Sequence, residues 1–591
     1  MGKSLWYLLF SLWGCVALSF RDPWEDIEDR KFESLLKRLV YTRKGYITTG
    51  LVANGYKRYM GVPYGLVNAS NPFGPAEPYP AFKQTFYAEK EGILCPQIRN
   101  GKPVGITECL TMNIYVPQNR AASKLPLPVM VWIHGGEFVS GSAEDEVDNP
   151  TSLLRHGIIV VAVNYRLGIY GFMCLDTHEV PGNQGLKDQT LALRWIRDNI
   201  AAFGGDQNKI TVFGQSAGGM SINMHLFSLN EKLFEQAIIQ SGSALSYWMM
   251  VESDDTIPLK LAEHFGYATS DIHKALNHLR RSTFDTHSLV KAANDMKITS
   301  AYSTDQPFTK PCVEKQFEGV ENFITQHPMN MISEKAKEIP IIIGHNANEY
   351  YFQCHDKDEI FFTSYDISKL FELGFNIDTD FNEAIRAVEH FYFGDAHIEK
   401  EGATKLVDFV TDFIFAHPTQ RMAEKFLESG AKYVYRYVFS FFEASHGDEL
   451  PYLFDSLVSK LNKTDGGIFW KERLLVKHRM VKLWTNFVKH GHPSPEPAAY
   501  LPFVWTPITN TTQPYLDIDL DFKMMSRPEH GSMAFWDLFY KLYGKFQKWY
   551  INEDKEQQLV FKTSSLKNLP LQFSSNVQFN TIQIFNMKDE N

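Results

Sequence analysis

Short runs of uninterrupted apolar residues alternate along this chain with segments of helical periodicity. Runs this uniformly apolar are typical of strands whose two faces are both covered. Between two of the runs, residues 188–200 repeat their apolar positions at the spacing of an amphipathic helix. The pattern predicts an α/β fold in which a mostly parallel or mixed central sheet carries helices on both faces. The predicted strands span residues 129–133, 158–163, 210–213, 237–239, 340–343 and 433–439.

The length of 591 residues would allow several domains, but no internal repeat and no low-complexity linker divides the chain. We therefore expect one large domain over residues 20–545. Residues 546–591 are polar and weakly periodic, and we expect them to form an appendage of unknown role. The net charge is −10 and there is no long Lys/Arg run, so nucleic acid is not an expected partner.

The N-terminal residues have the composition of a secretory signal. Lys3 is followed by an apolar stretch over residues 5–18, and the small residue Ser19 stands at its end. A membrane anchor is the alternative, but the stretch is shorter than the ~20 apolar residues that a span needs. We expect a signal peptide over residues 1–19, cleavage after Ser19, and a secreted, extracellular protein without a membrane span.

Cysteines and glycosylation motifs fit an exported chain. Of six cysteines, Cys15 falls in the predicted signal, and the odd number that remains leaves at least one without an intrachain partner. Cys95 and Cys109 bracket a polar loop, which favours a disulfide between them. The pairing within the remaining set, Cys174, Cys312 and Cys354, stays open. Predicted N-glycosylation sites are Asn68, Asn462 and Asn510.

The segment ITVFGQSAGGM, residues 210–220, places a serine between a predicted strand and a predicted helix. A sharp turn at this point needs glycine two residues before and two residues after the serine, because larger side chains would clash. Ser216 would then be exposed at the sheet edge beside the positive end of a helix dipole. An ordinary glycine-rich turn is the alternative, but the flanking pattern favours a catalytic nucleophile.

A nucleophilic serine needs a histidine base and a carboxylate that orients it. His446 follows the predicted strand at 433–439, and Glu349 follows the predicted strand at 340–343. Both therefore fall at the edge where a sheet of this kind gathers its ligand-binding loops. The chain order serine, acid, histidine is the one expected on a hydrolase sheet, so we predict these residues as the base and its partner.

Longer motifs accompany these residues: YMGVPYG (59–65), CLTMNIYVP (109–117), VWIHGGEF (131–138), VNYRLGIYGF (163–172), GNQGLKDQTLALRWIRDNIAAFGGD (182–206), QSGSAL (240–245), PIIIGHNANE (340–349) and SHGDELPYLF (445–454). Over residues 45–543 the chain resembles the type-B carboxylesterases, the family that includes cholinesterases and juvenile hormone esterases. The resemblance implies an α/β-hydrolase fold and assigns Ser216, Glu349 and His446 as the catalytic triad. It also implies that Cys95 and Cys109 form the family's first disulfide.

The motif HGGEF departs from the HGGGF that is common in this family. The resemblance implies an oxyanion hole built from the N–H groups of Gly136, Glu137 and Ala217, and Glu137 still supplies its N–H. Its carboxylate could oppose the oxyanion, which at ~4 Å would cost about 4 kcal/mol. It could also point away, or act as an extra base for the attacking water. We expect it to point away from the oxyanion.

These features predict a secreted serine carboxylic-ester hydrolase that acts on small apolar esters through an acyl-enzyme and needs neither a metal nor a cofactor. Xenobiotic, odorant or pheromone, and hormone esters are the expected substrate classes. The loop between Cys95 and Cys109 contains no Trp for stacking on choline, which argues against acetylcholine. The alternatives are a juvenile hormone esterase, a scavenger of slow turnover, and a non-catalytic cholinesterase-like adhesion or binding protein. The oligomeric state stays open.

Overall fold

An eleven-stranded mixed sheet runs through the computed structural model of the protein. The structure describes residues 38–548 apart from 54, 119–124, 148, 248, 282–284, 299–308, 377–380, 456–468 and 498–499. The strands in chain order are β1 Val40–Thr42, β2 Gly45–Thr48, β3 Val52–Ala53, β4 Tyr56–Pro63, β5 Gly65–Leu66, β6 Glu77–Pro78, β7 Phe86–Tyr87, β8 Gln97–Arg99, β9 Lys102–Val104, β10 Thr111–Pro117, β11 Leu127–Ile133, β12 Ile159–Val163, β13 Gly205–Gln215, β14 Gln236–Gln240, β15 Ile341–Asn346, β16 Val434–Phe439, β17 Pro514–Ile518 and β18 Lys523–Ser526.

The order of strands across the large sheet is β18-β17-β16-β15-β14-β13-β11-β12-β10-β4-β3. The strands from β12 through β11 and β13 to β17 run parallel. Antiparallel pairs lie on both sides of this block. Each apolar run predicted as a strand lies within one of the parallel strands or overlaps it, and the carboxyl ends of these strands meet at one edge of the sheet.

Helices flank the sheet between its strands. They are α1 Thr151–Leu154, α2 Gly168–Phe172, α3 Gln184–Asn199, α4 Ala217–Phe227, α5 Thr256–His264, α6 Ile272–Leu279, α7 Thr286–Asp295, α8 Glu334–Glu338, α9 Tyr351–Cys354, α10 Glu359–Thr363, α11 Ser368–Glu372, α12 Phe381–Tyr392, α13 Ala403–Thr411, α14 His417–Glu428, α15 Trp470–His490 and α16 His530–Tyr543. A π-helical turn, Asp412–Ala416, joins α13 to α14. The predicted amphipathic helix corresponds to α3, whose apolar residues Trp195 and Ile196 are buried.

The sheet is buried because its strands carry apolar side chains on both faces. On one face, Trp132 of β11 and Tyr437 of β16 pack with Trp484 of α15 in a single cluster. A second cluster joins α5, α6 and α7 to Phe73 and to Tyr170 of α2. Parallel strands packed in this way give a rigid platform for loops at the carboxyl edge.

Two disulfides and a buried ion pair fix the loops. Cys95 is bonded to Cys109, as predicted, and Cys174 is bonded to Cys312. Cys354 is a free, buried cysteine. The Arg166 guanidinium donates two hydrogen bonds of 2.7 Å to the Asp188 carboxylate, and both side chains are buried.

Several expectations fall outside the described residues: the signal peptide over residues 1–19, the sequon at Asn462, and the appendage beyond residue 548. The division into a signal, one domain and an appendage therefore stays a prediction. Asn68 and Asn510 are described, and both are exposed. No helix in the described part of the chain is long and apolar enough to cross a membrane.

Candidate active site

Ser216 is the one residue between β13 and α4, at the carboxyl edge of the sheet. Its φ of 56° and ψ of −125° are unusual for a residue with a side chain. A Cβ on Gly214 would lie 2.6 Å from the carbonyl oxygen of Ile133, and a Cβ on Gly218 would lie 2.0 Å from it. The two glycines therefore let the turn pack against β11. Ala217 begins α4, so its N–H lies at the positive end of the helix dipole beside the serine.

The structure brings His446 and Glu349 together at the same edge. Nδ1 of His446 lies 2.5 Å from Oε2 of Glu349, whose other oxygen accepts a hydrogen bond of 2.7 Å from the Asn346 N–H. Because a carboxylate only accepts hydrogen bonds, the proton of this pair is on Nδ1. Burial by itself lowers the pKa of His446, but the Glu349 carboxylate raises it, and the net pKa lies above its ordinary value.

The other ring nitrogen of His446 faces a residue that the sequence did not single out. Its Nε2 lies 3.0 Å from Nε2 of Gln215, the residue before the predicted nucleophile. Within the described residues, the Ser216 hydroxyl makes no hydrogen bond with His446. The only signal in the sequence was the position of Gln215 inside the G-x-S-x-G motif, which does not indicate where its side chain points.

A second carboxylate, Glu449, lies beneath the histidine loop and is fully buried. It accepts hydrogen bonds from the side-chain amides of Gln240, at 3.0 Å, and Asn346, at 2.7 Å. Burial and the charge of Glu349 raise the pKa of Glu449 to about 7. Sequence analysis missed this residue, although it stands three positions after His446. Because Asn346 contacts both glutamates, the two carboxylates form one network.

The predicted oxyanion loop has an unusual backbone. Gly136, Glu137 and Phe138 all have positive φ values, of 100°, 56° and 64°. Only the first of these is a glycine, so two residues with side chains occupy a conformation that costs about 1–2 kcal/mol each. The preceding Gly135 lies against the nucleophile, because a Cβ there would be 3.1 Å from the Cβ of Ser216. The loop therefore brings its backbone to the predicted nucleophile.

The Glu137 side chain is half-buried, and its charge acts on two groups. It is among the carboxylates that raise the pKa of His446. It also opposes the effect of burial on Lys310, which is buried and whose pKa is lowered to about 7. The charge of this carboxylate thus favours the protonated forms of both Lys310 and His446. Its orientation relative to an oxyanion stays a prediction.

Aromatic side chains surround His446. The ring centroid of Phe415, on the π-helical turn, lies 5.0 Å from that of His446, and the ring of Phe352 lies 5.9 Å from it. A cavity of about 180 Å³ borders the histidine loop and is lined by residues that include His446, Phe441, Phe442 and Tyr452. A second, of about 240 Å³, borders the oxyanion loop and is lined by residues that include Ile98, Val139, Leu167, Ile169 and Tyr170.

This arrangement agrees with the comparisons to known proteins. The sequence profile described as "Carboxylesterase family" matches residues 38–536. The chain belongs to the carboxylesterase family. Bile salt-activated lipase of Homo sapiens is 30% identical over 526 residues, which are 81% of this chain and 66% of that protein. Esterase FE4 of Myzus persicae is 29% identical over 517 residues, 79% of this chain and 87% of that protein.

A further relative is the juvenile hormone esterase of Tribolium castaneum, 27% identical over 546 residues, 83% of this chain and 88% of that protein. A solved structure titled "thermophylic PNB esterase" superposes with a TM-score of 0.66 at 27% identity, covering 84% of this chain and 99% of that one. These findings confirm the predicted family, the α/β-hydrolase fold and the class of enzyme, a carboxylesterase. The match spans just under two thirds of the human lipase.

Proposed function

We propose that this carboxylesterase is a secreted serine hydrolase of small apolar esters and works through an acyl-enzyme on Ser216. The observation that carries the proposal is the 2.5 Å contact between His446 Nδ1 and Glu349, at the sheet edge that also holds Ser216 in a strained turn. A buried carboxylate on Nδ1 leaves Nε2 as a base, which is what a serine nucleophile needs.

In the proposed reaction, the Ser216 oxygen attacks the ester carbonyl while its proton passes to Nε2 of His446. The N–H groups of Gly136, Glu137 and Ala217 donate to the oxyanion that forms. The histidine then gives the proton to the departing alkoxide, and the acyl group remains on the serine. Water then attacks the acyl group and loses a proton to Nε2. The histidine returns this proton to the departing Ser216 oxygen, and the carboxylic acid is released.

The apolar substrate class is supported by the aromatic rings at 5.0 and 5.9 Å from His446. An apolar acyl or alcohol group gains more from such surroundings than a charged one. Xenobiotic, odorant or pheromone, and hormone esters all fit this description. A juvenile hormone ester is the alternative, supported by the relative of that name in Tribolium castaneum.

Secretion and glycosylation are part of the proposal. Two disulfides within the described residues are typical of an oxidising compartment. The side chains of Asn68 and Asn510 are exposed, as glycan attachment requires. Mass spectrometry of the protein exported from insect cells should show an N-terminus at Phe20 and a mass loss on treatment with an N-glycosidase.

The test of the proposed function is steady-state hydrolysis of 1-naphthyl acetate by the purified protein. We expect turnover, and we expect Ser216→Ala to lower kcat by about 10⁴-fold or more because the nucleophile is lost. A single burst without turnover would instead indicate a scavenger. The absence of any Ser216-dependent hydrolysis, with longer-chain esters included, would favour a binding protein.

A further inference from the structure

The side chain of Gln215 lies where the nucleophile would be expected to meet its base. Its Nε2 is 3.0 Å from Nε2 of His446, the atom that must accept the Ser216 proton. We propose that the Gln215 amide is a positioning residue that occupies the catalytic base at rest, and that the base is released to Ser216 only when this hydrogen bond breaks. The inference rests on the proposed function.

The hydrogen-bonding chemistry of the three side chains is consistent. The Glu349 carboxylate, 2.5 Å from Nδ1, can only accept, so the neutral ring of His446 carries its proton on Nδ1. Its Nε2 is then a lone pair that needs a donor, and the amide nitrogen of Gln215 is one. A doubly protonated ring would place two donors face to face at 3.0 Å. With the amide nitrogen toward the ring, the contact therefore belongs to the neutral histidine.

The amide lies against Gly135 and next to Gly447, and at Gly135 a side chain would crowd it. A Cβ on Gly135, in the oxyanion loop, would lie 3.1 Å from Oε1 of Gln215. A Cβ on Gly447, directly after the histidine, would lie 3.7 Å from its Nε2. The Gln215 side chain is itself buried. It thus lies between the loop that binds the oxyanion and the loop that carries the base, so a substrate entering the site meets it.

A hydrogen bond from Gln215 changes both the rate and the pH dependence of the catalytic base. Let K be the ratio of amide-bound to amide-free neutral rings, which is about 5 for one net hydrogen bond. If the amide binds only the neutral ring, it lowers both the plateau rate at high pH and the apparent pKa of the base. The plateau falls by the factor 1 + K, and the midpoint of the acid limb falls by log(1 + K). Well below the midpoint the two effects cancel, and the rate is independent of the amide.

The experiment measures the rate constant for phosphorylation of the free enzyme by diethyl 4-nitrophenyl phosphate between pH 5 and pH 9. In this step the Ser216 oxygen bonds to phosphorus, 4-nitrophenolate leaves, and the serine proton passes to His446. Gln215→Met keeps the length of the side chain but removes the donor. We expect its plateau rate to rise about sixfold, its midpoint to rise by about 0.8 pH unit, and its rates at low pH to match the wild type.

The charged groups that face His446 are the same in both proteins, so the shift reports the amide. They are Glu349, Glu449, Glu137 and Asp448. Gln189→Met is the matched control, because Gln189 also contacts a histidine, His225, at 3.0 Å, but one outside the site. It should leave the midpoint unchanged. Gln215→Glu gives an independent test, since a carboxylate stabilises the protonated ring and should raise the midpoint further.

A Gln215→Met enzyme that is slower at every pH with an unchanged midpoint would overturn the inference and indicate a structural or transition-state role. The same conclusion would follow if the midpoint did not shift by the logarithm of the factor by which the plateau rate rises. If the wild type takes up one phosphoryl group per chain and Ser216→Ala none, the Ser216 nucleophile stands in either case, and turnover of 1-naphthyl acetate then separates the proposed hydrolase from a scavenger. A wild type that is not phosphorylated overturns both the inference and the Ser216 nucleophile.

Discussion

At the scale of single residues, Glu137 stands in the predicted oxyanion loop, at a position where glycine is common in this family. Its carboxylate raises the pKa of His446, so Glu137→Gln should lower that pKa. The acid limb of kcat/KM for 1-naphthyl acetate should then move to lower pH, by roughly half a unit or less. The surface variant Glu318→Gln should leave the profile in place. A shift to higher pH would contradict the assignment of this charge to the site.

Glu449 gives a prediction about stability. Its folded pKa of about 7 lies above its ordinary value of 4.5. The contribution of Glu449 to the free energy of unfolding is therefore fully present below pH 4.5 and is lost as pH rises through 7. The reason is that the carboxyl group ionises less readily in the folded state than in the unfolded state. Glu449→Gln cannot ionise. The free energy of unfolding of the wild type, relative to this variant, should fall by about 3 kcal/mol between pH 4.5 and pH 8.

Urea unfolding of both proteins at the two pH values checks this prediction. A relative stability that stays constant, or that rises with pH, would show that the buried carboxylate is ionised without cost. Glu443→Gln, a change at a neighbouring position of the same loop, serves as the control for the loss of a carboxylate.

The sequence predicted the residues of the triad as a set because each follows a strand end, and parallel strand ends share one edge. Their proximity in the structure, as for His446 and Glu349, needs only the strand order. Gln215 and Glu449 could not be found in this way. Their contacts depend on side-chain rotamers, which the sequence pattern does not indicate. The free-energy difference between Ser216 and Gln215 as the partner of His446 Nε2 is about that of one hydrogen bond.

At the scale of elements, uniform apolar runs predicted the parallel strands β11 to β16, but β17 of the parallel block and the antiparallel strands β4 and β10 were not predicted. For β10 the reason lies in Asn113, a buried polar residue that interrupts the apolar pattern. Its side chain accepts a hydrogen bond of 2.8 Å from the Gly61 N–H in β4. A polar residue of this kind replaces a regular ladder bond at an irregular point of the pairing, which local periodicity does not reveal.

The contact between α4 and β11 gives the element-scale prediction. Gly218→Ala would place a methyl group 2.0 Å from the Ile133 carbonyl oxygen, which is backbone and cannot rotate away. The helix must shift, and with it the turn that holds Ser216. We expect a loss of 3 kcal/mol or more, above the usual ~1–3 for an added methyl group, together with loss of most activity.

Gly402→Ala is the matched control, because no atom lies within 4 Å of a Cβ built there. It should change the midpoint of thermal unfolding little. If Gly218→Ala unfolded at the same temperature as the control and kept its activity, the close approach of α4 to β11 would be wrong.

At the scale of the whole molecule, two disulfides of very different span hold the domain. Cys95 and Cys109 are 14 residues apart, whereas Cys174 and Cys312 are 138 apart. The long loop contains β13, β14 and Ser216, and its closure restricts the unfolded chain more than closure of the short loop does. Loop entropy gives about 5 kcal/mol for the long disulfide and about 3 kcal/mol for the short one.

The double variant Cys174→Ser/Cys312→Ser should therefore be less stable than Cys95→Ser/Cys109→Ser by about 2 kcal/mol, measured by urea unfolding under non-reducing conditions. Cys354→Ala controls for the removal of a buried cysteine that closes no loop. Equal losses for the two disulfides would show that the unfolded chain retains structure across the long loop. A larger loss for the short one would mean that local packing around Cys95 contributes more than chain entropy.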